Sequence, residues 1–332
     1  MKKVVSLLLS LVVALSVAAC STPATSTDAS SSTASSAASS SASSSVDATE
    51  AKPTTDRSGA AITLPDSVGT VISMAPSITE TLVHLGCADS IIAIDVNSAS
   101  AVEGLSADLP QFDMMAPDAE KMAALSPDVV FVSSMSTVDG QNPFQPLIDL
   151  GISVVSIPTS ATIEDIHKDI TFIGQVMGRN EEAAAINAEL KSQLDEIAAL
   201  ATTVTEPKTV YFEIAPAPYA YSTSSGTYLN EMIELVGAKN ILADQNAPEG
   251  WMSVDPEVVV EGNPDVIFTN VSYVDDPVNE ILNREGWSEV NAVKNQQVFK
   301  VDTSASAQPN ENIVTALWEM GTALYPEVFV KE

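Results

Sequence analysis

One stretch of this sequence occurs twice with the same internal spacing. Residues 118–131 read DAEKMAALSPDVVF, and residues 255–268 read DPEVVVEGNPDVIF. In each copy acidic residues open a short helix, a Pro-Asp corner ends it, and an apolar run begins a buried strand. A Pro-Asp pair is common in loops before strands, and that is the alternative interpretation of either copy alone. Two copies with the same spacing favour two lobes of similar structure. Glu120 and Glu257 then occupy equivalent surface points, which suits gripping a ligand between the lobes or docking on a two-fold partner.

Strand-like and helix-like segments alternate on both sides of a long helical region. Short apolar strands are predicted at residues 71–74, 91–96, 129–133, 154–157, 210–215, 266–270 and 298–301. Such alternation predicts parallel sheets covered on both faces. Residues 162–177 and 181–201 have helical patterns, and the second contains neither Pro nor Gly. The predicted fold is therefore α/β: two lobes with mainly parallel sheets flanked by helices, joined by a single long rigid helix.

The first predicted helix covers residues 77–85. Ser77 and Glu80 have the spacing of a capping box, and Gly86 supplies a stop signal. Further helices are predicted at residues 117–125, 144–150, 228–236, 256–262, 276–284 and 312–324.

The beginning of the chain has the pattern of a targeting segment. Residues 1–20 combine early lysines with an apolar stretch that ends in small residues before Cys20. This resembles a bacterial lipobox, in which Cys20 is acylated and anchors the protein on the extracytoplasmic face of the plasma membrane, in the cell envelope. A plain secretory cleavage site with an incidental cysteine is the alternative.

The segment after Cys20 is rich in Ser, Ala and Thr. Residues 21–57 hold almost no large apolar side chains, so they are expected to form a disordered tether. We expect the N-terminal lobe at residues 58–160, the linking helices at 161–205 and the C-terminal lobe at 206–332.

Composition excludes several classes of partner. The formal net charge is −30, which excludes nucleic acid because no basic stripe is present to neutralise phosphates. Anionic small molecules are also disfavoured on average. The arginines are Arg57, Arg179 and Arg284, and none falls in a predicted cleft loop. Cys87 has no internal disulfide partner in the folded part and is predicted to be buried and inert.

Signals for catalysis are absent from the sequence. There is no nucleophile elbow, no phosphate-binding loop and no dinucleotide fingerprint. His84 and His167 lack a second histidine at metal-ligand spacing, so both are interpreted as helix-surface residues. We therefore expect no enzyme activity, no resident metal and no intrinsic cofactor.

Open α/β sheets bind ligands in the loops beyond the carboxyl ends of their strands. The predicted loops supply aromatic faces in a chain with few aromatic residues, which suits a broad, partly apolar ligand, although ordinary packing is the alternative. The candidate ligand-binding residues from these loops are Met74, Pro76, Ser77, Asp95, Ser134, Tyr219, Tyr221, Trp251 and Asp302.

Residues 71–82 read VISMAPSITETL. This resembles the opening signature of the solute-binding proteins that serve iron-siderophore and cobalamin ABC importers, and the resemblance extends over about residues 62–325. It implies two lobes that close little on binding. It also implies that Glu120 and Glu257 meet arginines on the two halves of a dimeric permease, which works with its ATPases.

The resemblance also bears on the ligand, expected to be a bulky metal chelate. Trp251 stands six residues before Glu257, and cobalamin-binding members have an aromatic residue at that offset which faces the corrin ring. Phe112 resembles the corresponding aromatic residue of the other lobe. Asp302 resembles a polar contact at the end of the cleft. Many members carry arginines where this chain has Ser306 and Asn310, which disfavours anionic ferric siderophores. A corrinoid is favoured over a ferric siderophore or haem. An envelope adhesin or sensor on the same scaffold is the alternative function.

Overall fold

The computed structural model describes residues 52–136 and 142–330. The predicted signal segment, the lipidation site Cys20 and most of the predicted tether lie outside these residues. Within the described residues both lobes belong to one compact unit. None of the helices in this part of the chain has the length and apolarity that a membrane crossing requires.

The end of the predicted tether is packed against the N-terminal lobe. Lys52 Nζ donates to the carbonyl oxygen of Pro65 at 2.6 Å. Asp56 is buried and accepts hydrogen bonds from the backbone N–H groups of Ser58 at 2.9 Å and Ser156 at 3.1 Å. Residues 52–57 therefore belong to the folded unit, contrary to the predicted boundary.

The N-terminal lobe is built on a five-stranded parallel sheet with the order β3-β2-β1-β4-β5. Its central strands are apolar and buried on both faces because helices cover them. The strands are β1 Val71–Ser73, β2 Ile91–Asp95, β3 Gln111–Phe112, β4 Val129–Ser133 and β5 Ser153–Ile157, and the helices are α1 Pro76–His84, α2 Ser98–Ala101, α3 Ala119–Ala124 and α4 Gln145–Asp149.

Two consecutive helices connect the lobes, α5 Ile163–Met177 and α6 Asn180–Ala201. Gly178 ends α5 in the left-handed conformation, with φ +67°. The helices approach closely at Gly174, where an added Cβ would lie 2.5 Å from the Cβ of Ala183. With 22 residues, α6 is roughly 33 Å long. The long helix between the lobes is thus present, packed against α5.

The C-terminal lobe contains a four-stranded parallel sheet with the order β11-β10-β6-β8 and a separate antiparallel pair, β7 and β9. The fold is therefore α/β with mainly parallel sheets, as predicted. The strands are β6 Thr209–Glu213, β7 Tyr221–Thr223, β8 Lys239–Asn240, β9 Trp251–Ser253, β10 Val266–Thr269 and β11 Val298–Lys300, and the helices are α7 Tyr228–Leu235, α8 Pro256–Gly262, α9 Pro277–Leu282, α10 Asn291–Lys294, α11 Thr303–Ala307 and α12 Ile313–Leu324.

The repeated sequence forms the same local structure in each lobe. Asp128 Oδ2 accepts from the backbone N–H of Thr70 at 2.9 Å and from its hydroxyl at 3.2 Å. Asp265 Oδ2 accepts from the same two groups of Thr209 at 2.9 and 2.8 Å. In both lobes the aspartate before one strand is therefore tied to the threonine at the start of its neighbour.

The predicted capping box of α1 does not form. The helix begins at Pro76, its N-cap is Ala75, and no side chain caps it. Ser77 is displaced into the first turn, and the Glu80 carboxylate instead bonds to Asn310 in the other lobe. The N–H groups at the start of α1 therefore lack a side-chain acceptor from the cap position.

Cys87 is buried, as predicted, and packs in the hydrophobic core. Burial raises the pKa of its thiol, which disfavours the reactive thiolate at neutral pH.

Candidate functional site

A cleft between the lobes consists of two adjoining cavities. The first, the α1 cavity, has a volume of about 680 Å³ and is lined by the start of α1 together with residues of α5 and α11. The second, the Trp251 cavity, has a volume of about 750 Å³. Both volumes fall in the range of roughly 300–1,000 Å³ typical of small-molecule sites, so together they accommodate a larger ligand. The residues that line both cavities are Met135, Thr159, Ser160 and Ala307.

The antiparallel pair β7 and β9 positions the aromatic wall of the Trp251 cavity, which includes Tyr221 and Trp251. The Trp251 indole packs edge-to-face on the ring of Tyr228, with centroids 5.9 Å apart. The Tyr228 hydroxyl in turn donates to the carbonyl oxygen of Ser306 at 3.0 Å. The cavity therefore offers a supported aromatic face to a flat apolar ligand.

Gly250 sets the position of this wall. It has φ +76°, and a Cβ there would lie 2.4 Å from Cγ2 of Thr227 and 2.8 Å from the carbonyl oxygen of Ser225. Only glycine fits this close approach and backbone conformation. Substitution would displace Trp251, the next residue.

The α1 cavity has a mainly apolar lining with a few polar side chains. Asp169 on α5 is buried and accepts hydrogen bonds from Arg57 Nε and, at 2.8 Å, from the hydroxyl of Ser160. Burial raises the pKa of Asp169, although Arg57 and Ser160 oppose the rise. Gln308, after α11, is also buried, and its Oε1 has no hydrogen-bond partner within residues 52–136 and 142–330.

Neither cavity is lined by Lys, Arg or His among the described residues. The arginines of the chain are all paired with carboxylates: Arg57 with Asp169, Arg179 with Glu182 at 3.2 Å, and Arg284 with Glu213 at 2.6 Å. The cleft therefore has no free guanidinium for an anionic ligand.

The structure brings five of the predicted ligand-binding residues to the cleft. Pro76 and Ser77 line the α1 cavity through the first turn of α1. Ser134, Tyr221 and Trp251 line the Trp251 cavity.

The other five predicted residues lie elsewhere. Met74, directly after β1, and Phe112, at the end of β3, are buried because their side chains pack into the hydrophobic core of the N-terminal lobe. Asp95 is buried and accepts from the N–H of Asn97 at 2.9 Å.

Tyr219 and Asp302 lie in the predicted loops but do not line either cavity. Tyr219 is 85% exposed. Asp302 is exposed and caps α11 by accepting from the N–H of Ala305 at 2.8 Å. A loop after a strand therefore does not by itself bring its side chains to the cleft.

Sequence reasoning missed Asp169, Gln308 and Tyr228. Asp169 and Tyr228 lie in segments with a helical sequence pattern, where nothing distinguishes them from ordinary helix residues. Gln308 had a weak signal, because it lies between Ser306 and Asn310, the two positions that differ from many family members. All three reach the cleft only through the packing of α5, α7 and α11.

Side chains of α1 also hold the second lobe. The Glu80 carboxylate accepts from Asn310 Nδ2 at 2.6 Å and from Asn312 Nδ2. One turn later, the Glu311 carboxylate bonds to His84 Nδ1 and accepts from the Thr81 hydroxyl at 3.2 Å. We call these contacts the interlobe clasp; they give His84, predicted only as a surface histidine, a partner in the other lobe.

Glu120 and Glu257 occupy equivalent places in the two lobes. Each lies in the first turn of a helix, α3 or α8, behind an aspartate N-cap, and both are exposed. Asp118 accepts from the N–H of Lys121 at 3.1 Å, and Asp255 from the N–H of Glu257 at 3.0 Å. Neither glutamate is buried, so both are accessible to a partner.

Residues 71–305 match the model of the periplasmic binding protein family. An uncharacterised ABC transporter substrate-binding lipoprotein, YvrC of Bacillus subtilis (strain 168), is 30% identical over 285 residues, covering 85% of this chain and 88% of its own. A cobalamin-binding protein of Halobacterium salinarum (strain ATCC 29341 / DSM 671 / R1) is 26% identical over 288 residues. The match covers 81% of this chain and 73% of that protein.

The fold has close structural neighbours. The molybdate-bound periplasmic binding protein MolA of Haemophilus influenzae superposes with a TM-score of 0.69 at 22% identity, covering 83% of this chain and 91% of its own. At that identity the likeness concerns the fold alone. The family match extends over more than half of the chain, from the first strand of one lobe to α11 of the other. The chain therefore belongs to the periplasmic binding protein family.

Proposed function

We propose that this protein is the extracytoplasmic substrate-binding component of an ABC importer, and that its interlobe cleft captures a bulky metal chelate, a corrinoid in preference to a ferric siderophore or haem. In this proposal Cys20 carries the lipid anchor. The protein binds and delivers its ligand and catalyses no reaction. YvrC supports the importer role, and the relatives named above give no support to an adhesin or sensor.

The observation that carries the ligand class is an aromatic cleft without a free cation. Trp251 and Tyr221 offer an aromatic wall that the buried Tyr228 supports, and both cavities lack Lys, Arg and His among the described residues. An anionic chelate entering this cleft would lose hydration without gaining an ion pair. A neutral or cationic chelate with a flat ring avoids that loss, which favours a corrinoid. The cobalamin-binding relative agrees with this preference.

Delivery requires docking on the permease, for which we propose Glu120 and Glu257. One exposed carboxylate per lobe complements basic residues on a two-fold partner, steers association and sets the register. Both glutamates are exposed in the first turn of a helix, which leaves their carboxylates accessible to such a partner.

Intrinsic fluorescence tests the ligand. Of the chain's tryptophans, Trp251 alone lines either cavity; Trp287 is buried in the C-terminal lobe, and Trp318 packs on Phe329. We expect cyanocobalamin to quench the emission saturably, and a ferric hydroxamate, haemin and molybdate to do so weakly or not at all. Trp251→Phe should remove most of the change while leaving calorimetric binding detectable. Tight binding of haemin or molybdate without cobalamin binding would overturn the corrinoid preference.

A further inference from the structure

One buried carboxylate lines the cleft. Asp169 on α5 is 6% exposed, and among the described residues it is the only Asp or Glu in the lining of the α1 cavity. Glu249, which lines the Trp251 cavity, is exposed, so water and salt screen its charge. A buried ionised group acts on its surroundings through a lower effective dielectric than an exposed one. The charge that the cleft presents to a ligand therefore depends on how Asp169 is compensated.

The compensating cation lies outside the cleft. Arg57 donates from Nε to Oδ1 of Asp169, and the hydroxyl of Ser160 donates to Oδ2 at 2.8 Å. Arg57 itself lines neither cavity. Its guanidinium therefore contacts the carboxylate without bordering the space that a ligand would fill.

The charges around this contact balance. Asp165 lies 3.6 Å from Nη2 of Arg57, but it also lies 3.3 Å from Nζ of Lys168. Two cations thus face two carboxylates, and loss of Arg57 would leave one negative charge in excess. That excess would fall on Asp169, because it is the more buried carboxylate and Lys168 remains beside Asp165.

The fold holds Arg57 in this position. Its backbone N–H donates to the carbonyl oxygen of Ser156 on β5, the last strand of the N-terminal sheet, at 3.1 Å. The preceding residue, Asp56, is buried and accepts from the N–H groups of Ser58 and Ala60, each at 2.9 Å. Residues 56–60 therefore form a closed turn on the edge of the sheet, from which the Arg57 side chain reaches α5.

We propose that Arg57 determines the charge specificity of the cleft: it neutralises Asp169 from behind the cavity wall, so that the cleft takes a chelate without net charge and gives no advantage to a cationic one. The inference rests on the proposed function and narrows it from neutral or cationic chelates to neutral ones. Arg57 acts only through Asp169 and is not a ligand contact. Without Arg57, a cation in the cavity would compensate the buried carboxylate instead.

Calorimetric titration at neutral pH with two corrinoids of the same ring tests this role. Cyanocobalamin has no net charge, whereas aquocobalamin carries one positive charge because water replaces cyanide on its cobalt. The measured quantity is the ratio of the two affinities, from which a partial loss of folded protein cancels. We expect the wild type to bind cyanocobalamin at least as tightly as aquocobalamin. Arg57→Gln should shift the ratio about tenfold towards aquocobalamin.

Three further variants separate charge from packing. Arg57→Lys keeps the positive charge and should keep the wild-type ratio. Arg57→Gln combined with Asp169→Asn removes both charges and should restore the wild-type ratio. Arg179→Gln is the matched control, because Arg179 pairs with Glu182 at an exposed site and lines neither cavity, and it should leave the ratio unchanged.

An unchanged ratio in Arg57→Gln overturns the role of Arg57 and leaves the proposed function standing. A shift that persists in the double variant, or that Arg179→Gln reproduces, also overturns it, because the charge of Asp169 would then not be the cause. Tighter binding of aquocobalamin by the wild type overturns the restriction to neutral chelates. No binding of either corrinoid by the wild type overturns the corrinoid assignment and the charge specificity together.

Discussion

Glu80 on the first helix accepts a hydrogen bond of 2.6 Å from Asn310, which lies 230 residues later in the sequence and in the other lobe. Asn312 donates to the second oxygen of the same carboxylate. The clasp adjoins the cleft, because Thr81 on α1 and Gln308 before Asn310 both line the α1 cavity. It therefore ties two walls of the cavity together through side chains, in addition to the connecting helices.

Removing the Glu80 carboxylate should loosen this clasp. Glu80→Ala leaves the buried Asn310 amide without its acceptor, so we expect the free energy of unfolding to fall by about 1–3 kcal/mol. Urea denaturation followed by circular dichroism measures the change. Glu196→Ala, at an exposed site on α6, is the control and should leave the urea midpoint unchanged. Equal stability of the two variants would show that the Glu80 bonds of the clasp contribute nothing.

The His84 contact should make the clasp pH-dependent. The hydrogen bond to Glu311 raises the pKa of His84 above its ordinary value, against the effect of burial, and the Glu311 and Glu80 carboxylates add to the rise. A raised folded-state pKa means that the protonated ring stabilises the fold below about pH 6.5 and that this contribution is lost as the pH rises through the raised value.

Thermal midpoints across the range from about pH 5 to pH 9 test this dependence. The difference between the wild type and His84→Gln should be largest at the acidic end and shrink towards the alkaline end. A difference that stays constant across the range would contradict the assignment of the contact to protonated His84.

Arg284 and Glu213 form a buried bidentate pair, with bonds of 2.6 and 2.9 Å, and the guanidinium lies 4.4 Å from the Trp287 ring centre. Arg284→Ala leaves the Glu213 carboxylate, which is 1% exposed, without a partner. We expect a loss of about 3–5 kcal/mol in the free energy of unfolding. Arg179→Ala, at an exposed pair, is the control and should stay within experimental error in the same denaturation assay.

Trp251 should dominate ligand affinity. Trp251→Ala removes the aromatic wall that Tyr228 supports, so the affinity for cyanocobalamin should fall at least about tenfold by calorimetry. Trp318→Ala removes an indole that packs on Phe329 and lines neither cleft cavity, and it should bind as the wild type does. Equal losses in both variants would indicate a general effect on folding rather than ligand contact.

The paired glutamates should matter for transport and not for ligand capture. Glu120→Ala combined with Glu257→Ala should leave affinity unchanged, because neither residue lines the cleft, while cellular uptake of labelled ligand falls at least about tenfold. Glu103→Ala combined with Glu261→Ala removes two other exposed carboxylates, one from each lobe, and should transport normally. Normal uptake by the first double variant would refute the docking role.

Local patterns predicted most of the architecture. The strand at residues 129–133 and the helix at residues 256–262 have the predicted bounds, because β-branched runs, Pro at a helix start and Pro-Asp corners act within a few residues. The equivalent hydrogen bonds of Asp128 and Asp265 explain why the repeat could be recognised in the sequence. In each copy the aspartate binds the backbone N–H of a threonine beside the neighbouring strand. The two-lobed α/β fold and family membership followed from such signals.

The site was less predictable because it depends on the direction of side chains. Asp95 follows the rule for cleft loops, and Phe112 was expected in the cleft from the family resemblance, yet both side chains are buried in the N-terminal lobe. Asp169 carries no local signal and Gln308 only a weak one, and they line the α1 cavity because α5 and the end of α11 both pack against it. The same holds for the bond between Glu80 and Asn310. Helices, strands and turns depend on neighbouring residues, so the sequence alone predicts them. The walls of a cleft come from segments far apart in the sequence, and only tertiary packing decides which of their side chains meet.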